Sequence, residues 1–424
     1  MSTRRELLAL ASGAAVAATL PAAPAQAAGR PGAGPRWTGT WAAAPTTVPP
    51  GPPAVLENQT VRHVVHVSAG GDRLRVRLTN EFGEQPLVIG EVRVARRAGT
   101  GASTATRPGT DRPVTFGGRT AVTIPAGSPL VSDPVQLPFP AGTELTVSLY
   151  LPRRTPVTTL AAFAFQDNVI AAGNVTAART VTPTAVVAQN LFLSGVSVAS
   201  PAGAIVTLGD SITNGAVSVA NLNHRWPDLL AQRLRAAGID RGVVNVGVSG
   251  NRLLHDPNPP AGSGAEAYAA YFAQSALRRF DRDVTAQPGA EHLIVLLGVN
   301  DLGHPGSTAP ASETVSADDL IAGHRQLIAR AHQAGLRAYG ATVLPFKDDT
   351  LGFYSVENER KRAALNRWIR TGDEYDAVVD FDAAVRDRTD PLRLASAYDS
   401  GDHLHPNDAG MAALAAAVPL RLFR

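Results

Sequence analysis

Two widely separated loops of this chain hold the groups that acyl transfer needs. One reads Gly209-Asp210-Ser211-Ile212, and the other, far downstream, reads Asp402-His403-Leu404-His405-Pro406. A serine hydroxyl is a weak nucleophile until a base takes its proton, and a neutral imidazole can do so near neutral pH. Ser211 is the candidate nucleophile and His405 the candidate base. Asp402 precedes His405 by three residues, near enough to fix the tautomer and orientation of the ring. Two loops between them supply donors. The backbone N–H of Gly250, in Ser249-Gly250-Asn251-Arg252, and the side-chain amide of Asn300, in Gly298-Val299-Asn300-Asp301, can each donate to a developing oxyanion.

The neighbouring polar residues carry plainer expectations. Asp210 and Asp301 are read as loop organisers, and His403, His304 and Arg252 as loop or surface residues. His63 and His66 are read as strand residues, and the Asp348-Asp349 and Asp380-Phe381-Asp382 pairs as members of solvated loops. A second chemistry competes with the first. Asp210, Asn300, Asp402, His403 and His405 are all of types that bind a divalent metal, as in a metal-dependent phosphoesterase. Against it, a serine follows Asp210, and no histidine directly follows Asn300.

The elements around these loops explain their placement. After about residue 200, apolar strands alternate with helical stretches. The predicted strands are 204–208, 243–246, 292–297, 337–343 and 377–381, and the predicted helices are 226–237, 265–283, 317–334, 357–370 and 408–418. Nearly continuous apolar strands in a repeating β–α order predict a parallel, doubly wound sheet covered on both faces. Ligands bind such sheets beyond the carboxyl ends of the strands, where the Ser211, Gly250 and Asn300 loops fall. Before residue 200 the texture differs, with short β-branched runs separated by turns. Val61–Ser68 and Arg73–Thr79, linked by Ala69-Gly70-Gly71-Asp72, are predicted as a hairpin. Further strands are predicted over 87–94, 120–124, 131–137 and 143–151, which suggests an all-β sandwich or jelly roll.

The four loops together resemble the Ser-Gly-Asn-His (SGNH) hydrolases, also called GDSL esterases. Gly209-Asp210-Ser211-Ile212 has isoleucine where the family commonly has leucine; Gly250, Gly298-Val299-Asn300-Asp301 and Asp402-x-x-His405 follow in the family's order. The resemblance implies a three-layer α/β/α, flavodoxin-like fold with about five parallel strands. It implies a Ser211–His405–Asp402 triad, and an oxyanion hole made by the Ser211 N–H, the Gly250 N–H and the Asn300 side chain. The implied activity is serine-dependent hydrolysis of carboxylic esters, with no cofactor and no metal. The Gly-x-Ser-x-Gly elbow of other hydrolases is absent. Trp226-Pro227-Asp228, Gly250-Asn251-Arg252-Leu253-Leu254 and Gly303-His304-Pro305-Gly306 are similar to secreted actinobacterial members grouped with xylan esterases. An ester substrate is therefore expected, with acetylated polysaccharide favoured and a lipase or phospholipase acting on longer acyl chains as the alternative.

Four segments are expected. Residues 1–27 read as an export signal: Arg4-Arg5 before a leucine pair, an apolar run from Leu7 to Leu20, then Ala25-Gln26-Ala27. The run is too short to span a bilayer, and the arginine pair resembles a twin-arginine signal. Residues 28–36 read as a disordered linker and 203–424 as the catalytic domain; 37–199 reads as a β-rich accessory domain, either a carbohydrate-binding module or, as the short link around Val198–Gly203 favours, a structural partner packed on the catalytic domain. An extracellular monomer without a membrane span in its mature form is expected. Composition removes other classes. With 39 basic and 36 acidic residues among 424, the net charge is +3, and no basic block reads as a nucleic-acid surface. Cysteine is absent, which excludes disulfides, cysteine-ligated metals and thiol nucleophiles.

Overall fold

The computed structural model describes residues 36–424. The export signal expected over 1–27 and nearly all of the linker expected over 28–36 lie outside the described residues. Among the described residues no helix is long and apolar enough to cross a membrane.

The carboxyl-terminal half is built on a five-stranded parallel sheet. Its spatial order is Gly242–Asn245, Ala204–Gly209, Ala290–Leu296, Arg337–Ala341 and Ala377–Val379, the 2-1-3-4-5 order of flavodoxin-like folds. Successive residues of the Ala204–Gly209 strand face opposite cores, as strand geometry requires. Ile205 packs with Trp226, Leu230 and Leu234 of the Trp226–Ala236 helix and Met411 and Leu414 of Asp408–Ala417. Val206 and Leu208 pack on the other face with Leu320 and Leu327 of Ala317–Gln333 and Leu365 and Ile369 of Val356–Thr371. Three layers result.

An N-terminal all-β region precedes this sheet. Its two main antiparallel sheets share one core. One comprises Trp37–Ala42, Leu193–Ala199, Gly71–Thr79 and Val135–Phe139, with Pro129–Val131 also paired to Gly71–Thr79. The other runs in the order 185–187, 168–172, 59–66, 144–151, 91–96 and 112–114. Val65, Val76, Val94, Val147 and Val196 meet between them.

The predicted hairpin does not form. Gln59–His66 pairs with Glu144–Leu151 and Asn168–Ala172, whereas Gly71–Thr79 pairs in the other sheet. The link between them therefore crosses from sheet to sheet. Gln59–His66 is buried on both faces over 60–65, so its pattern carries no alternation to name a partner. The strand predicted over 87–94 breaks at Gly90 into Leu87–Ile89 and Glu91–Arg96, which pair in different sheets. The strand predicted over 131–137 likewise divides into Pro129–Val131 and Val135–Phe139. The helix predicted over 265–283 is broken as well. Two 3₁₀ turns, Gly264–Ala267 and Ala269–Phe272, precede Ala276–Phe280, and Ala273 between them has φ of +59°.

The β region meets the parallel sheet through named bonds. The Ser68 hydroxyl lies 2.9 Å from the Val243 carbonyl and 2.8 Å from the Val243 N–H, and the Gly39 N–H donates to Pro288 at 2.7 Å. Ala42 and Ala44 are buried in the same core as Val206 and Val244.

Candidate active site

The sheet order places a switch point between Ala204–Gly209 and Ala290–Leu296. The helices that follow these neighbouring strands, Trp226–Ala236 and Ala317–Gln333, pack on opposite faces, which opens a crevice at the strands' carboxyl ends. Ser211 follows the first strand and Asn300 the second.

Asp210 and Ser211 are set by a short turn of helix. The Asp210 carboxylate accepts the Ile212 N–H at 3.0 Å and caps the helix Ser211–Asn214, as aspartate does before a first turn. Ser211 is 7% exposed. Its Oγ lies 2.8 Å from His405 Nε2, and His405 Nδ1 lies 2.6 Å from Asp402 Oδ2. The three side chains form one hydrogen-bonded line. The other Asp402 oxygen accepts the Ser400 hydroxyl at 2.9 Å and the Leu404 and His405 N–H groups at 3.0 and 2.8 Å. Burial alone would raise the Asp402 carboxyl, but these bonds and the His405 ring hold it well below the usual carboxylate range. Asp402 is thus an anion at every pH where an ester hydrolase would work.

The Gly250 loop lies beside this line. The Val248 N–H donates to the Gly209 carbonyl at 3.0 Å, which fastens the loop to the residue preceding Asp210. Gly250 has φ of +77°, and a Cβ there would come within 2.1 Å of the Phe272 ring, so backbone and packing both demand glycine. Neither the Gly250 nor the Ser211 N–H has an acceptor among the described residues. Asn300 is buried, and its Nδ2 donates to the Asn251 carbonyl at 3.0 Å. One amide hydrogen is thereby fixed and the second remains to donate.

Asp301 anchors the next turn by accepting the Leu253 and Leu254 N–H groups at 2.7 and 3.0 Å. Burial pushes its carboxyl up to about 6 and that of Asp210 up to about 7, against an ordinary value of 3.8. A folded-state pKa above the unfolded value means that the folded chain holds the proton longer. The stability this gives Asp210 near pH 4 is lost as pH rises toward 7. Asp210→Asn is therefore expected to raise Tm at about pH 8, with a smaller gain at about pH 5, in thermal melts of both proteins. Equal shifts at the two pH values would remove this account of Asp210.

Arg252, His304 and His403 all lie in loops, as expected, but the first two are buried. Arg252 is paired with Glu313 at 2.6 Å and donates to the Asp256 carbonyl. His304 is buried between the Phe272 and Phe353 rings, and burial with the nearby Arg252 charge lowers it to about 3. Asp382 is also buried, because Arg362, Arg370 and Arg386 converge on it. His403 keeps its loop role, its ring bonded to Asp399. Among the described residues no three carboxylate or imidazole groups are arranged to hold a metal. Asp402 and His405 bind each other, and Asp210 turns to the Ile212 N–H.

The sequence reading passed over Arg279, whose fully buried guanidinium ties the strand ends together. It also passed over Ser400, which braces Asp402.

The fold and the line of three side chains define an α/β/α domain of the hydrolase class. Residues 207–413 match the model of the GDSL-like lipase/acylhydrolase family. The match covers just under half of the chain and makes this a GDSL-like lipase/acylhydrolase domain, that of a carboxylic ester hydrolase. Among solved structures the domain is similar to the acetylxylan esterase Axe2 of Geobacillus stearothermophilus, at 19% identity over 51% of this chain and 91% of that one, with a TM-score of 0.37. It is similar also to a GDSL-like lipase of Bacteroides thetaiotaomicron, at 17% identity over 51% and 85% of the two chains and a TM-score of 0.35. No curated protein sequence matches the chain significantly.

Proposed function

We propose that the protein is an exported serine esterase that removes short acyl groups, acetyl foremost, from carbohydrate or other small alcohols. The observation that carries this reading is the hydrogen-bonded line Ser211 Oγ, His405 Nε2, His405 Nδ1, Asp402 Oδ2. Ser211 attacks the ester carbonyl as His405 takes its proton. The tetrahedral oxyanion is held by the Ser211 and Gly250 N–H groups and the Asn300 amide. His405 returns the proton to the leaving alcohol, and the same ring activates the water that hydrolyses the acyl-enzyme. Each of these steps uses only groups of the chain and water.

The Phe272 ring against Gly250 supports a short acyl group, because it fills the space beside one of the oxyanion donors. Export rests on the sequence of residues 1–27. The β-rich region, 37–199, is read as packed support for the catalytic domain, 203–424. Support for this comes from the Ser68–Val243 bonds and from Asn214 Nδ2, three residues after Ser211, which donates to the Phe163 carbonyl at 3.2 Å.

A chain-length series of p-nitrophenyl esters, run beside acetylated xylan, tests the substrate. The expected result is a kcat/KM that is highest for acetate and falls steadily with chain length, with acetate released from the xylan. A preference for acyl chains of about eight carbons or more would move the assignment to the lipase alternative.

A further inference from the structure

Arg279 makes four hydrogen bonds from a fully buried position. Nη1 donates to the Val246 carbonyl at 2.7 Å and to Asp283 at 3.1 Å, Nη2 to the Gly209 carbonyl at 3.2 Å, and Nε to Asn251 Oδ1 at 3.0 Å. These acceptors are not scattered. Gly209 ends the strand that delivers Ser211, Val246 follows the strand that delivers Gly250, and Asn251 is the residue after Gly250. The Asn251 carbonyl in turn receives Asn300. One rigid, planar fork thus fixes the relative position of all three groups expected to face the oxyanion.

A buried guanidinium needs a counter-charge, and Asp283 supplies it. Asp283 is itself gripped by both ends of Arg282, at 2.7 and 2.9 Å. Arg282 is where the β-rich region enters. Its guanidinium donates to the Pro45 carbonyl at 3.4 Å, lies 3.7 Å from Glu81, and stands 5.4 Å from the centre of the Phe82 ring. A continuous polar path therefore runs from the Pro45 and Glu81–Phe82 segments to the backbone beside Ser211.

We propose that the β-rich region takes part in the reaction through Arg282, Asp283 and Arg279, with Arg279 a positioning residue that holds the Ser211 and Gly250 loops in register. The proposal rests on the esterase reading of that site. Its function follows from geometry, since oxyanion donors act in full only when they are already aimed at where charge develops.

The test uses the full chain and p-nitrophenyl acetate. Arg279→Lys keeps the charge but replaces the planar fork with one nitrogen of three donors, which cannot serve the four acceptors reached by Nε, Nη1 and Nη2. The expected result is a fall in kcat on the order of tenfold to a hundredfold with KM changed less than about threefold, measured well below Tm. Arg282→Gln is expected to lower kcat several-fold, and Arg282→Lys, which keeps a cation on Asp283, to recover most of it. A folded Arg279→Lys with kcat within about a factor of two of the parent would overturn the proposal. If that variant does not fold, the Arg282 pair decides: equal kcat in Arg282→Gln and Arg282→Lys overturns it. Ser211→Ala in the same series separates the two claims. An active Ser211→Ala defeats the site itself, whereas an inactive one beside an unaffected Arg279→Lys defeats only the path.

Discussion

Ser211→Ala is expected to fold normally and to lower kcat by about 10⁴- to 10⁶-fold. The reason lies in what the hydroxyl touches. Its one side-chain partner is His405 Nε2, at 2.8 Å. Removing it deletes a single oxygen and leaves the Ser211 N–H, the Gly250 N–H and Asn300 in place. His405 keeps its bond to Asp402 on the far side of the ring. The helix cap at Asp210 uses its own carboxylate and the Ile212 N–H, so the turn that presents residue 211 is unaffected. The loss therefore falls on the covalent step, and what remains is the catalysis supplied by the oxyanion donors and substrate binding. The measurement is kcat for p-nitrophenyl acetate with a thermal melt of the same preparation. A folded variant with activity within about tenfold of the parent would show that the nucleophile is elsewhere.

The ease with which this site is read from the sequence has a physical cause. Ser211, Gly250 and Asn300 each follow an apolar strand buried on both faces, and such strands announce themselves as runs of Ile, Val and Leu. Once the strands are placed, parallel topology puts their carboxyl ends on one edge, and His405 with Asp402 needs only a final loop to reach it. Arg279 escapes the same reading. Arg278-Arg279 looks like the charged face of an ordinary solvated helix, and nothing local reveals that Ala273 breaks the segment before Ser275 caps a new start. The break turns Arg279 inward, where it finds carbonyls from strands far away in sequence. Asp382 fails for a related reason, since its burial depends on Arg362 and Arg370 of the preceding helix folding back over it. The β region shows the complementary limit. Turn residues mark where its strands end, but a strand such as Gln59–His66, with apolar and polar residues buried alike on both faces, does not say which sheet it joins.

Asp402→Asn is the second large effect, expected at about 10⁴-fold in kcat with the fold retained. The substitution keeps shape and changes which atoms can accept. One Asp402 oxygen faces three donors, the Ser400 hydroxyl and the Leu404 and His405 N–H groups, so in the variant the carbonyl oxygen must take that side. The amide NH₂ is then left facing His405 Nδ1, where the carboxylate had accepted the Nδ1–H hydrogen bond at 2.6 Å. A donor in that place forces Nδ1 to accept, which puts the ring's proton on Nε2, against the Ser211 hydroxyl. That tautomer cannot take the serine proton, and an imidazolium formed there has lost its counter-charge. Stability should change little by comparison, because the three bonds to the oxygen survive. The decisive comparison is the double variant: if Asp402 acts only through His405 on Ser211, adding Asp402→Asn to Ser211→Ala should cost almost nothing more. A further loss in the double variant as large as in the single one would mean that Asp402 acts by another route, and an Asp402→Asn kcat within about tenfold of the parent would remove it from the mechanism.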